Sequence, residues 1–247
     1  MRRGTERPSM LTFKVASALL VYPEEQLIES LGEMAAVLEA EGSLPKAEQR
    51  GLEELIADLR TSDLMDAQAR YVALFDHARS LSLHLYEHSH GESRDRGQAM
   101  VNLLSHYRNK GLELGTSELP DFLPLFLEFL SMQPADEARA LLGQTVWVVA
   151  LLRARLEQRG APYAAVFRAI EALAPHRADE AAIRETVGGE TRDDTPAALD
   201  RAWEEAPVTF GNDPAAAGSG CSAASAMVAR FAPPADARTP AHRSGTR

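Results

Sequence analysis

The chain has 247 residues, 45% hydrophobic and 25% charged, enough apolar material for a packed core and an ordinary share of charge for a water-facing surface. A formal net charge of −10 and a pI near 5.2 run against a nucleic-acid surface, which needs a basic excess on at least one face, and no Lys/Arg block supplies one. The single cysteine, Cys221, excludes an internal disulfide and suits a reducing compartment.

The N-terminus, Met1-Arg2-Arg3-Gly4-Thr5-Glu6-Arg7-Pro8, is basic, but the apolar run behind it reaches only from Val15 to Val21 and Pro23 stops it. That is short for a signal segment, and Arg2-Arg3 is not followed by the long apolar stretch of a twin-arginine signal. No window approaches the roughly 20 apolar residues of a membrane helix, so the chain is expected in the cytoplasm.

From Leu11 to about Thr186, apolar residues recur at helical spacing without convincing alternation, which predicts an all-α chain. Phe13, Ala16, Leu19 and Leu20 mark a first short helix, ended by Pro23. Leu27, Leu31, Met34 and Leu38 stripe a second over Glu24 to Glu41, with Gly42 and Pro45 in the turn after it. Leu52, Leu55, Ile56 and Leu59 mark a third, and Asp63 is placed to cap a fourth carrying Met65, Ala69, Val72 and Phe75. Arg79 to Gly91 is less regular and rich in histidine. Ser93 reads as the cap of a helix through Lys110, with Met100, Leu103, Leu104 and Tyr107 inward and Gly111 just past its end. Leu119 to Met132 is dense in Leu and Phe, with Pro120 and Pro124 in the first turns expected of it. Ala135 to Gln158 follows, apolar nearly all round from Val146 to Leu152 and so expected at the centre of a bundle. Pro162 to Ala174 adds one more helix.

Nine or so helices with short turns make a bundle of about 175 residues, large enough to bury roughly 70% of its unfolded surface. After Val187-Gly188-Gly189 the composition turns to Pro, Gly, Ala and Asp. The expected divisions are a flexible N-terminus over 1–10, one all-α multi-helix bundle over 11–187, a linker with a short docking motif over 188–211 and a flexible, disordered tail over 212–247. The island from Asp194-Thr195-Pro196 to Trp203, Pro207, Val208 and Phe210 reads equally as a tail helix on its own bundle or as a docking motif.

Five of the seven histidines lie between His77 and His106. His84 and His88 have the spacing that sets two ligands on one helix face, and Glu87 and His90 would complete a metal set. No His-Glu-x-x-His pattern is present, so a structural or interface role outweighs a metal-dependent helical enzyme using His84, Glu87 and His88. Cys221 lies in a Gly/Ser/Ala-rich tail without a partner to activate it, and Gly218-Ser219-Gly220 is no phosphate loop. Catalysis is therefore not expected, nor a metal or other cofactor, which leaves a binding or adaptor role. The stretch from Tyr86 to Met100 carries both signs of charge before an amphipathic helix. It reads either as a solvated inter-helix loop or as the polar rim of a groove that receives a helix. Phe122, Leu125, Phe126, Leu127, Phe129 and Leu130 cannot all face one stripe; burial on several sides is the commoner explanation, a groove wall the other.

Two long stretches are specific enough to carry a resemblance: Leu85-Tyr86-Glu87-His88-Ser89-His90-Gly91-Glu92-Ser93-Arg94-Asp95-Arg96-Gly97-Gln98-Ala99-Met100, and Glu118-Leu119-Pro120-Asp121-Phe122-Leu123-Pro124-Leu125-Phe126-Leu127-Glu128-Phe129-Leu130. They resemble the NarJ family, the molybdenum cofactor assembly chaperones of respiratory nitrate reductase, also termed its delta subunit. The opening Phe13 to Pro23 and the island Asp194 to Phe210 are similar too. The resemblance implies a fold like that of the TorD-type redox-enzyme maturation chaperones. It implies a partner, the N-terminal segment of the apo catalytic subunit, held while molybdenum cofactor is inserted and membrane docking is delayed, with transient contact to the proteins that make the cofactor. It also implies that Glu87, His88, Gly91, Glu92, Arg94, Asp95 and Arg96 border the client site. Tyr86, Met100, Phe122 and Phe126 are read as part of the same site, an amphipathic client helix laying its apolar face against the Phe122–Leu130 region. In that arrangement Arg94 and Arg96 would meet acidic or carbonyl groups and Glu87 and Glu92 basic ones. His88 and His90, with ordinary pKa values of about 6.5, would make affinity depend on pH.

Overall fold

The structure, a computed structural model, describes residues 10–89, 94–115 and 118–203. Over these it forms α1 (Leu11–Leu19), α2 (Glu25–Glu41), α3 (Lys46–Thr61), α4 (Leu64–Phe75), a 3-10 turn (Arg79–Leu81), α5 (Leu85–Ser89), α6 (Arg94–Asn109), α7 (Leu123–Ser131), α8 (Ala135–Gln158), α9 (Ala164–Leu173), α10 (Glu180–Gly189) and α11 (Pro196–Trp203). The only extended pairing among the described residues is a single antiparallel bridge, His84 to Phe122. The chain is all-α. None of its described helices is long and apolar enough to cross a membrane.

The helix ends follow from local chemistry. Gly42, at φ 57°, closes α2 in the left-handed conformation that glycine adopts without strain, its N–H donating to the Leu38 carbonyl. Asp63 caps α4 by accepting the Met65 N–H at 2.8 Å. Gly111, at φ 80°, stands just past α6, as the sequence predicts. The expected Ser93 cap, the segment before Met10 and everything after Trp203 lie outside the described residues.

Side-chain periodicity sets the packing. α1 lies against α2 and α7 and buries Phe13, Ala16 and Leu19. Ser17 turns inward as well, its hydroxyl donating to the Pro124 carbonyl at 2.6 Å, and the buried Thr12 hydroxyl lies 3.1 Å from a Glu41 carboxylate oxygen, so both buried polar side chains of α1 are satisfied. α3 packs on α9 and α9 on α8, closing one core that runs from Met10 to Leu173. Each fully buried Leu or Phe in it contributes about 1.5–3 kcal/mol. α8 is central, as its composition predicts: Val146 and Val148 through Leu152 are buried, and Trp147 alone of that stretch is exposed. The burial on its second side comes from α10, whose Ile183 and Val187 meet Ala150 and Leu151 in a small separate cluster.

Three elements depart from the sequence reading. The irregular histidine stretch contains the 3-10 turn and α5. The helix expected from Leu119 begins at Leu123, because the Phe122 N–H closes a turn on the Leu119 carbonyl and Phe122 is drawn into the bridge with His84, the Asp121 carbonyl accepting from Leu85. Finally, α10 is a full helix, capped by Asp179, in a stretch without a predicted one.

Candidate functional site

The site is assembled where two segments distant in sequence touch. The Leu123 N–H donates to the Leu83 carbonyl at 2.8 Å and the Leu85 N–H to the Asp121 carbonyl at 3.0 Å. Asp121 is completely buried. One of its carboxylate oxygens accepts the Tyr86 N–H at 3.1 Å and the other lies 3.2 Å from His84 Nδ1. Asp121 thus acts as the N-terminal cap of α5, supplied from across the junction rather than from the preceding residue. His84 lies tilted against the Phe122 ring at 5.4 Å. The hydrogen bond to Asp121 lifts the His84 pKa above its ordinary value; burial opposes this, and the charges of Asp121 and Glu87 add to it.

α5 directs its side chains three ways. Glu87 accepts from Arg96 at 3.3 Å, across to α6. Burial works against its charge, but the Ser82 hydroxyl and Arg96 outweigh that and hold its carboxyl below the usual range. His88 turns inward: Nε2 donates to the Ser82 carbonyl at 2.8 Å and Nδ1 accepts from Arg155 at 3.1 Å. Burial, reinforced by the Arg155 charge, depresses the His88 pKa. The reading of His88 as a group with an ordinary pKa is corrected by this pocket, which favours the neutral ring. Tyr86 faces a pocket of about 270 Å³ shared with Leu103, His106, Phe126, Leu141 and Thr145.

Arg155 of α8 ties this loop to the far end of the chain. Nearly buried, it holds Glu190 through two hydrogen bonds, at 2.8 and 2.5 Å, and donates to the Ser80 carbonyl at 2.7 Å. One turn on, Arg159 binds Asp193 at 2.6 Å, and Asp193 in turn accepts from Ser80 N–H and hydroxyl. Residues Glu190 to Asp194, which composition marks as linker, are therefore bound to α8 by ion pairs.

Beside the junction opens a cleft of about 860 Å³. Leu27 and Met34 of α2, Tyr71 and Phe75 of α4, Leu83 and Phe122 form its apolar walls. Val21 and Tyr22, in the turn after α1, line it too and are exposed, Tyr22 by 44%. That turn is fixed to α4: the Tyr71 hydroxyl donates to the Leu20 carbonyl at 2.9 Å and the Gln68 amide to the Pro23 carbonyl at 2.8 Å. A neighbouring pocket of about 350 Å³ shares Ala18, Ser30 and Met34, so the groove continues between α1 and α2 as far as Leu11 and Val37.

The sequence-predicted residues fall in separate places. Phe122 is in the cleft wall; Phe126, 3% exposed, belongs to the core and borders the Tyr86 pocket. Glu87 and Arg96 pair with each other, and Met100 is part-buried on α6. Gly91, Glu92 and His90 lie outside the described residues, as do the side chains of Arg94 and Asp95. A metal reading of His84, Glu87 and His88 is opposed by His88, which commits both ring nitrogens to Ser82 and Arg155, and by Glu87, which pairs with Arg96. No group of three His, Cys, Asp or Glu among the described residues is arranged to hold a metal ion. Asp121, Arg155, Glu190 and Tyr22 had no assigned role from sequence. A buried-loop carboxylate beside Pro120 was the available hint for Asp121; nothing local marked Arg155.

Comparison with known proteins gives this geometry a family. A family model described as the nitrate reductase delta subunit matches residues 41–169. The NarJ protein of Escherichia coli K12, named a nitrate reductase molybdenum cofactor assembly chaperone, is 46% identical over 90% of this chain and 93% of its own. The chain belongs to the nitrate reductase delta subunit family. NarW of the same strain is 42% identical over 84% of this chain and 87% of its own. A crystal structure from Archaeoglobus fulgidus, assigned to redox enzyme maturation, aligns with a TM-score of 0.47 and 25% identity, over 69% of this chain and 94% of that one. Within the delta subunit match fall Tyr71, Phe75, His84, Asp121, Phe122 and Arg155, whereas Tyr22, Leu27 and Met34 precede it.

Proposed function

We propose that this chain is an assembly chaperone for a respiratory nitrate reductase, binding the N-terminal segment of the apo catalytic subunit as an amphipathic helix. It keeps that segment from docking at the membrane until molybdenum cofactor is in place. The name of the E. coli NarJ relative supports the client. The observation that carries the binding site is the cleft: an apolar-walled groove of about 860 Å³ beside Phe122, with Tyr22 exposed in its lining. A helix laid in a groove needs aliphatic and aromatic walls for its apolar stripe and polar groups at the edge for orientation. The cleft supplies the first from α2, α4 and Phe122, and His84 with the adjoining α5 loop supplies polar groups beside it.

Calorimetric titration of a synthetic client N-terminal peptide into the full chain tests the site. Met34→Glu, which puts a charge on the groove wall, is expected to weaken binding by about tenfold or more. Unchanged affinity in that variant removes the cleft from the site. The double variant Arg94→Ala/Asp95→Ala is expected to weaken binding too, and unchanged affinity there removes the loop.

A further inference from the structure

Three carboxylates line the large cleft, from Glu24, Asp76 and Glu118, together with one histidine, His84, and neither Lys nor Arg among the described residues. All three acids are exposed, and none has an ion-pair or hydrogen-bond partner for its side chain among the described residues. What sets them apart is their shared position in the lining of one cleft that also exposes an aromatic ring, Tyr22. The His84 ring is engaged by buried Asp121, 3.2 Å from its Nδ1, so any charge it takes up already has a carboxylate partner other than the three acids. The same cleft is lined by an aromatic cluster, with Tyr22 edge-on to Tyr71 at 5.8 Å and Tyr71 against Phe75 at 4.9 Å. The Tyr71 phenol registers the nearby charge: burial first, then Tyr163, Asp76 and Glu118, raise its pKa well above the ordinary value.

We propose that this end of the cleft is a cation-accepting subsite, Glu24, Asp76 and Glu118 around Tyr22, Tyr71 and Phe75, and that the bound segment must present a Lys or Arg at the edge of its apolar face. The inference rests on the cleft being the client groove and adds the chemistry that selects the client. An occupant that was apolar throughout would strip water from three unpaired carboxylates, at a cost that opposes the gain from burying Leu27, Met34 and Phe122. A Lys or Arg avoids that cost, its stem lying on the Tyr22 ring while its head meets the acids. The requirement is local to this end, since the adjoining pocket between α1 and α2 carries one charge of each sign, Lys14 and Glu33.

The test uses the full chain and two synthetic peptides: the client N-terminal segment, and the same segment with its Lys and Arg replaced by Gln. In low salt the native peptide is expected to bind the wild-type chain about tenfold more tightly than the neutral one, the sum of several partly exposed charge contacts. In an Asp76→Asn/Glu118→Gln variant that preference should collapse to about twofold or less, and in about 0.5 M NaCl it should shrink in the wild type as well. Equal binding of both peptides by the wild type overturns the subsite and leaves the groove reading standing. A preference that persists undiminished in the double variant overturns it too. Binding of neither peptide overturns the groove reading and this inference together.

Discussion

Asp121 has no hydrophobic contact energy to offer, yet it is completely buried because one carboxylate answers two needs: the open N–H of Tyr86 at the start of α5, and the imidazole of His84. Sequence made this residue visible only as part of a motif. Its partners are 35 and 37 positions away, and no periodicity reports a bridge that long. The pairing carries a pH signature of defined sign. The folded-state pKa of His84 is raised, so its stabilising contribution is complete below the unfolded value of about 6.5 and is lost as pH climbs through the higher folded value. His88 has the opposite sign: its folded pKa is depressed, so its contribution is present above the unfolded value and lost as pH falls through the folded one. Urea denaturation of wild type and His84→Gln should therefore show the larger stability gap near pH about 5.5 and a narrower one near pH about 8.5. A gap that is constant or widens with pH refutes the ion pair.

At the scale of elements, the long periodic helices were legible because burial selects one face: α2, α3 and α8 stand where their apolar spacing sets them, whereas α4 forms behind its predicted cap but turns Ala67, Tyr71 and Phe75 inward and leaves Met65 and Ala69, two residues of the predicted stripe, exposed. α10 was not legible, since only Ile183 and Val187 are large and apolar in it, and Gly188-Gly189 reads as a stop. Its existence depends on α8 offering Ala150 and Leu151 as a second buried face, which local sequence does not reveal. The same reasoning explains why α7 starts four residues later than Leu119: tertiary pairing at Asp121 overrides the helical preference of the residues before it. If α10 is held by this small cluster and its cap, Ile183→Ala should cost about 2–4 kcal/mol, and Asp179→Ala, which removes the acceptor of the Ala181 and Ala182 N–H groups, about 1 kcal/mol. Chemical denaturation with both variants checks the ranking. Equal, negligible losses would mean that α10 adds nothing to the stability of α8.

At the scale of the whole molecule, the cleft belongs to no single element. The turn at Tyr22, α2, α4, Leu83 and Phe122 each contribute one wall, and hydrogen bonds from Tyr71 and Gln68 hold the first against the third. Helical periodicity identifies the side of each element that faces the core but not the gap left between five of them, which is why Tyr22 and Met34 escaped a sequence reading that reached Phe122. A groove so tied into the fold couples occupancy to global stability. Client peptide at one hundred times its Kd should add about 2.7 kcal/mol to the unfolding free energy. For a domain of this size that corresponds to a rise in midpoint of roughly 5–10 °C. Tyr22→Ala removes an exposed ring from the cleft at the cost of one edge-on contact with Tyr71; a tenfold loss of affinity would cut the gain to about 1.4 kcal/mol at the same peptide concentration, about half the shift. Differential scanning fluorimetry with and without peptide reads both numbers. A Tyr22→Ala chain that keeps the full shift is binding its client somewhere other than this cleft, because no other linkage would leave the gain intact once the ring is gone.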